Sequence, residues 1–463
     1  MRKPGSCTLP VHEADRVLDR LAGLEKVISS AAVGQALEAT GRVNGRSCSL
    51  THEVMLWVVL AMGVLTNLPI RQVFKHSRRM HAGEAKTPPR SSLCVARQRL
   101  GVEPVRYLHE HTVRPLATPD TPGAFYHGLR LMGLDGTVFD VPDSPANAAA
   151  FQRATGSRGP GAFPQARKVS LVELGTHVEV ALALGGWQDS EQELARPLWN
   201  RIPADALLLE DRGFFNYDDW KRLDARGVKL FLRVKSNLIL KPIQQLADGS
   251  YLAKIYPTSY DREKDRHGIV VRVIAYRLDD PQRVGHGEEH RFVTNLFDEQ
   301  EFPALELILE YHERWEEELV FDEQKTHQDP RRAEKPAQVR SETPAGVQQE
   351  VYAVSLAHFV VRALMVEAAR PLHLDVDRLS FLGCLHILRA RLPECDSRTP
   401  ATLEGWYANL LAELQEERTE PRRNRINPRV IKRKMSKWPK KRPHHRPVPR
   451  LKKLFIETVV MRT

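Results

Sequence analysis

Apolar residues recur at three- and four-residue spacing through Val17–Val33 and Leu50–Val73, which predicts a helical region over the first 120 residues. Within it, Val54–Ile70 is uncharged over 17 residues, at the short edge of what spans a bilayer, and Asn67 and Pro69 interrupt its end. A helix buried in a helical domain is the expectation. After a loop rich in Arg, His, Gly and Pro (Arg78–Arg90), the run SSLCVARQRLGVEPVRYLHEHTV predicts two short helices around Gly101. With Arg90, Arg97 and Arg99 read as exposed, the pair is either a helix-turn-helix DNA reader or a plain helical hairpin. Both readings stay open.

The pattern changes at Leu129. LRLMGLDGTVFDVPD is apolar and β-branched, KVSLVELGTHVEVALALGG reads as a two-strand hairpin around Gly175, and ALLLEDRGFF as a short buried strand ending at a carboxylate. A helix over Asp218–Arg226 separates this strand from another, KLFLRVKS. Strands alternating with helices argue for an α/β core. Further strands are expected in HGIVVRVIAYRL and HRFVTNLF, then helices over Pro303–Gln328, Val347–Arg370 and about Leu403–Glu417. No internal repeat, Walker loop or GxGxxG loop is present, which argues against nucleotide-driven or dinucleotide enzymes.

Charge adds a spatial hint. The 463 residues carry a formal +11, with 42% hydrophobic and 27% charged residues, an ordinary balance for a folded chain. That total is uneven: Pro421–Thr463 holds 16 Lys and Arg against Glu457 alone, residues 1–128 carry +7, and the middle carries −11. Basic ends around an acidic centre suggest a polyanion held by the ends. Five prolines between Pro428 and Pro449 predict an extended basic strap in which Arg422, Arg423, Lys432, Arg433, Lys434, Lys440, Lys441 and Arg442 meet phosphates around Trp438. The five cysteines are scattered without metal-ligand spacing, and Met1–Arg20 lacks an apolar export segment, so a cytoplasmic protein is expected.

Three carboxylates stand out by context. Asp135 lies in the strand-like LMGLDGTVFD, Asp211 directly follows ALLLE, and Glu318 lies in ILEYHERWEEELVFDEQK. A strand-borne Asp is a rigid mount for a metal ligand. Singly, each has a plain alternative: an Asp-Gly hairpin turn for Asp135, a helix cap for Asp211, a solvated helix face for Glu318. Asp140, Asp143 and Glu210 are the rival carboxylates if the strand register shifts. On one regular helix, however, Tyr311, Arg314, Glu318 and Lys325 fall on a single stripe, and an aromatic, a carboxylate and two cations together are not a core pattern. Such a carboxylate can bind a divalent cation while the cations hold phosphates.

Y-x2-R-x3-E-x6-K, filled by Tyr311, Arg314, Glu318 and Lys325, resembles the signature of DDE-type bacterial insertion-sequence transposases, specifically the insertion-sequence-four family. The blocks LDGTVFD, LLLEDRGFF and FVTNL resemble that family as well, and the likeness extends over about residues 40–450. It implies an α/β RNase H-like catalytic core with a mainly β insertion, preceded by an all-α N-terminal domain and followed by a basic extended tail. The expected divisions are 1–128, probable DNA binding; 129–390, catalytic, with the insertion at about 231–300; and 391–463, a helix and the DNA-contacting tail. The resemblance further implies that Asp135, Asp211 and Glu318 hold two Mg²⁺ or Mn²⁺ ions, and that Tyr311, Arg314 and Lys325 contact DNA. Stacking on a flipped base would fall to His290 or Phe292, with Trp315 nearby. The implied activity is cut-and-paste transposition: cleavage at the element's terminal inverted repeats, then strand transfer into target DNA by a homodimer in the bacterial cytoplasm, associated with the nucleoid. The rival functions are a two-metal nuclease without strand transfer and a catalytically dead repressor that only binds DNA.

Overall fold

The computed structural model describes residues 18–44, 48–79, 86–156, 159–281, 286–314, 316–328, 339–395, 399–420 and 453–461. Five helices lead: α1 (Ser30–Ala39), α2 (His52–Val64), α3 (Ile70–His76), α4 (Arg90–Leu100) and α5 (Glu103–Thr112). There follow β1 (Phe125–Tyr126), β2 (Leu129–Asp140), α6 (Pro145–Phe151), β3 (Arg153–Gly156), β4 (Gly159–Glu173), β5 (Val178–Gly185) and α7 (Glu191–Ala195). Next come β6 (Ala206–Glu210), α8 (Tyr217–Ala225), β7 (Lys229–Arg233), β8 (Gln244–Gln245), β9 (Tyr251–Ile255), α9 (Ser259–Glu263), β10 (Ile269–Leu278) and β11 (His290–Thr294). The chain closes with α10 (Ala304–Glu313), α11 (Glu316–Asp322), α12 (Pro344–Ala369), α13 (Phe381–Arg391), α14 (Pro400–Leu414) and β12 (Val459–Met461).

These elements form two compact units built from separated stretches, a division that linear composition does not reveal. The first draws on Met1–Phe125, Leu134–Ile202 and Glu316–Thr419. In it α2 is capped by Thr51, whose side chain accepts from the Val54 amide, and Met55 to Val64 are all buried. The uncharged run is therefore a core helix, as its composition predicts. The 26-residue α12 is buried along most of its length; it is long and apolar enough to cross a membrane, yet 89% of its most apolar window lies inside the protein. Thr343 caps it and Pro344, at its first turn, gives up no needed hydrogen bond. β4 and β5 pair antiparallel, Lys168 opposite Leu184 and Ser170 opposite Leu182.

The second unit draws on Tyr126–Gly133, Pro203–Trp315 and Glu420–Thr463. Its strands run β6-β7-β11-β10-β9-β8. β6 and β7 are parallel and joined by α8, while β7–β11 and the pairs beyond are antiparallel. The strands expected in HGIVVRVIAYRL and HRFVTNLF are β10 and β11, and they lie in the same sheet as β6 and β7. β12 pairs with β10 at Tyr276–Leu278, and Phe455 stacks on His312 with ring centroids 4.1 Å apart, so residues 453–461 dock on this sheet. Buried Arg272 pairs with Asp248 and donates to the Phe302 carbonyl (2.8 Å), and Asp248 accepts from the Ala304 amide (2.8 Å), which fixes the start of α10.

Candidate active site

Asp135 sits within β2, which runs unbroken through Asp135-Gly136. The hairpin-turn alternative is therefore excluded. Buried Leu131, Met132 and Leu134 hold the strand just before it, leaving the carboxylate half-buried on a fixed backbone. Its Oδ1 accepts from the Gly136 amide (2.7 Å). A Cβ at position 136 would stand 2.7 Å from the Glu191 carboxylate, which pairs with Arg167 (3.5 Å), so a side chain there would displace that carboxylate. The rivals are engaged elsewhere in the same unit: Asp140 accepts from the Gln165 amide (2.8 Å) and Asp143 pairs with Arg153.

Asp211 follows the end of β6, at the carboxyl end of a parallel strand, where α/β sheets place their ligand sites. It does not cap α8; Asn216 does, accepting from the Asp218 and Asp219 amides. Neighbouring Glu210 is buried, and burial, with the Asp219 charge adding to it, pushes its carboxyl up to about 8. A carboxyl that stays protonated at neutral pH is a poor cation ligand, so Asp211, half-exposed, is the better candidate of the two. The strand end is held from above: the Tyr311 hydroxyl donates to the Glu210 carbonyl (3.2 Å).

The helix expected over Pro303–Gln328 is not regular. α10 ends at Glu313, α11 begins at Glu316, and Glu323–His327 forms a π-helical turn. The π turn then moves Lys325 off the α-helical repeat, so the single-stripe geometry does not hold over the whole motif. Glu318 is exposed on α11. Tyr311 packs among Phe231 and Phe292, ring centroids 5.7 and 4.4 Å away, and Arg314 lies over the Tyr311 ring (5.7 Å). Lys325 Nζ donates to the Thr137 hydroxyl and the Val138 carbonyl (3.1 Å) on β2. Trp315 and the basic tail residues from Arg422 to Arg442, including Trp438, lie outside the described residues.

Two expectations change. His290 and Phe292 are buried in an aromatic cluster, Tyr276 lying 5.0 and 5.8 Å from them, so neither is presented to a flipped base. Arg97 is not exposed: it donates to the Gln349 side chain (2.8 Å) and the Gly346 carbonyl (2.7 Å) and pairs with buried Glu350 (3.3 Å). Arg90 and Arg99 do face solvent, and Gly101 takes the positive φ (75°) that turns α4 into α5.

The sequence reading also missed a buried polar network. Glu323 pairs with Arg362 and His358 (2.9 Å), and Glu179 with Lys168 (2.6 Å), Ser355 and Gln324. Its signal was present: Glu179, His358 and Arg362 each interrupt an otherwise apolar run. Among the described residues, no group of three or more His, Cys, Asp or Glu side chains is arranged as a metal-holding cluster.

Comparison with known proteins adds the family context. Residues 18–110 match the model for the insertion element 4 transposase N-terminal region, and residues 127–359 match that for the transposase DDE domain. The chain is 29% identical over 435 residues to the transposase InsG for insertion sequence element IS4 of Escherichia coli (strain K12), covering 93% of this chain and 96% of that relative. It is 28% identical over 198 residues to the putative transposase InsZ of the same strain, covering 42% of this chain and 64% of the relative. Among solved structures, it is similar to the piggyBac transposase synaptic complex with hairpin DNA at a TM-score of 0.41 and 12% identity, over 86% of this chain and 85% of that one.

Proposed function

The chain belongs to the transposase DDE domain family, and we propose that this DNA transposase works by cut-and-paste, cleaving at the terminal inverted repeats of its element and joining the freed ends to target DNA. What carries the reading is how two of the carboxylates are mounted. Asp135 sits inside β2 and Asp211 at the end of β6, in the stretch matched by the transposase DDE domain, with Glu318 following on α11.

In this reading Asp135, Asp211 and Glu318 hold two Mg²⁺ or Mn²⁺ ions. All three offer hard carboxylate oxygens, the donor type those cations take, and no soft sulfur or imidazole competes within the set. When bound, such a pair of ions activates the attacking oxygen and stabilises the leaving one. The protein's own part is positioning. Apolar strands keep two of the carboxylates in place, and Tyr311 steadies the strand end before Asp211 through the Glu210 carbonyl.

DNA would be held by Arg314, Lys325 and Trp315 and by the basic tail. Exposed Ser92, Val95, Gln98 and Arg99 on α4, with Arg90 at its start, present groups suited to base edges and no acidic residue. The working form is a homodimer on paired ends, in the cytoplasm with the nucleoid. A strand-transfer assay with labelled terminal-repeat DNA tests this function. Joined products in Mg²⁺ support it; nicks without joined products would make the protein a nuclease, and a gel shift without nicks a repressor.

A further inference from the structure

Three consecutive residues at the start of the π turn go to three different places. Glu323 accepts from Arg362 Nε (3.1 Å) and meets His358 Nε2 (2.9 Å), with His177 Nδ1 3.5 Å away. Gln324 bridges Lys168 and Glu179, donating to the latter (3.0 Å). Lys325 reaches Thr137 and Val138 on β2, the strand of Asp135. A regular α-helix turns successive side chains through 100°, and the wider i to i+5 closure, with the Gln328 amide bonded to the Glu323 carbonyl at 2.7 Å, redistributes them. Such turns are rare and concentrate at functional sites. Glu323 is also fully enclosed, and a carboxylate is kept there only if cations and donors surround it. Burial by itself pushes the Glu323 carboxyl up, but the Arg362 charge and the His177 and His358 hydrogen bonds outweigh it and hold the carboxyl well below its usual range.

We propose that Glu323 is a positioning residue: clamped by Arg362, His358 and His177, it fixes the π turn that sets Glu318 on α11 and, through Lys325 and Thr137, the strand carrying Asp135. The proposal rests on Asp135 and Glu318 being metal ligands. All the residues it joins belong to one compact unit. Lys325 thereby also ties one ligand-bearing element to another.

The test measures Mn²⁺ binding to the full chain on terminal-repeat DNA, read from loss of the free-ion electron paramagnetic resonance signal, alongside thermal melting and gel shift. Glu323→Gln should weaken Mn²⁺ binding by roughly 10-fold or more, the range of outer partners that orient ligands, while DNA still shifts. Thr137→Val keeps the β-branched shape, removes the side-chain acceptor of Lys325 while leaving the Val138 carbonyl, and should weaken Mn²⁺ binding in the same direction. If Glu323→Gln does not fold, Thr137→Val decides. Wild-type Mn²⁺ affinity in Thr137→Val and in folded Glu323→Gln, with Glu318→Gln impaired, overturns the positioning role. Wild-type affinity in Glu318→Gln instead overturns the metal assignment on which it rests.

Discussion

The Tyr311 hydroxyl donates to the backbone carbonyl of Glu210, 3.2 Å away, so the first residue of the Y-x2-R-x3-E-x6-K motif grips the strand end that precedes Asp211. The aromatic ring is wedged between Phe231 and Phe292, which orients that hydroxyl. Tyr311 is thereby a support of the sheet before it is anything to DNA.

Tyr311→Phe keeps the ring and removes only the hydrogen bond. The expected loss is about 1 kcal/mol of stability, seen as a lower melting temperature, with slower cleavage and unchanged gel shift of end DNA. Unchanged melting and cleavage would show that the contact steadies nothing.

Glu210 gives a pH signature. Its carboxyl is raised to about 8 by burial first and Asp219 second, against 4.5 for an ordinary glutamate. Between those values the folded protein binds more protons than the unfolded chain, so stability falls as pH rises. The contribution is complete below about 4.5 and lost as pH passes about 8. Glu210→Gln should flatten the fall in melting temperature between pH 5 and roughly 8 and leave Mg²⁺-dependent cleavage in place. A variant with the wild-type pH slope would place the titration elsewhere.

Two arginines on α4 should separate cleanly. Arg97→Ala strips Glu350, buried on α12, of its closest cation and should cost about 3 kcal/mol, read by thermal or denaturant melting. Arg99→Ala, at an exposed position, should leave melting unchanged and weaken binding to terminal-repeat DNA with a shallower salt dependence. Equal DNA affinity in Arg99→Ala and wild type would remove α4 from the DNA-reading surface.

Much of this was legible in the chain. Periodicity located the buried α2, the β4–β5 hairpin around Gly175 and α8, because each is a local pattern repeated over a full element. The carboxylates at 135 and 211 were picked out by their strand context, and that context is what the fold provides. Three things were hidden. A π turn keeps the residue types of a helix and changes only the closure, so no spacing rule could register it at Glu323. Arg97 looked like any surface arginine because its partners lie about 250 residues away on α12. The division into two units joins distant stretches, which composition along the chain cannot show.

Asp135, Asp211 and Glu318 are proposed to support the chemistry together. The most direct measurement is cleavage of terminal-repeat DNA in Mg²⁺ by Asp135→Asn, Asp211→Asn and Glu318→Gln, each compared with wild type for nicked and joined products and for gel shift. All three variants should shift the DNA and yield neither nicks nor joined products. Near-normal cleavage by any one of them would contradict the claim.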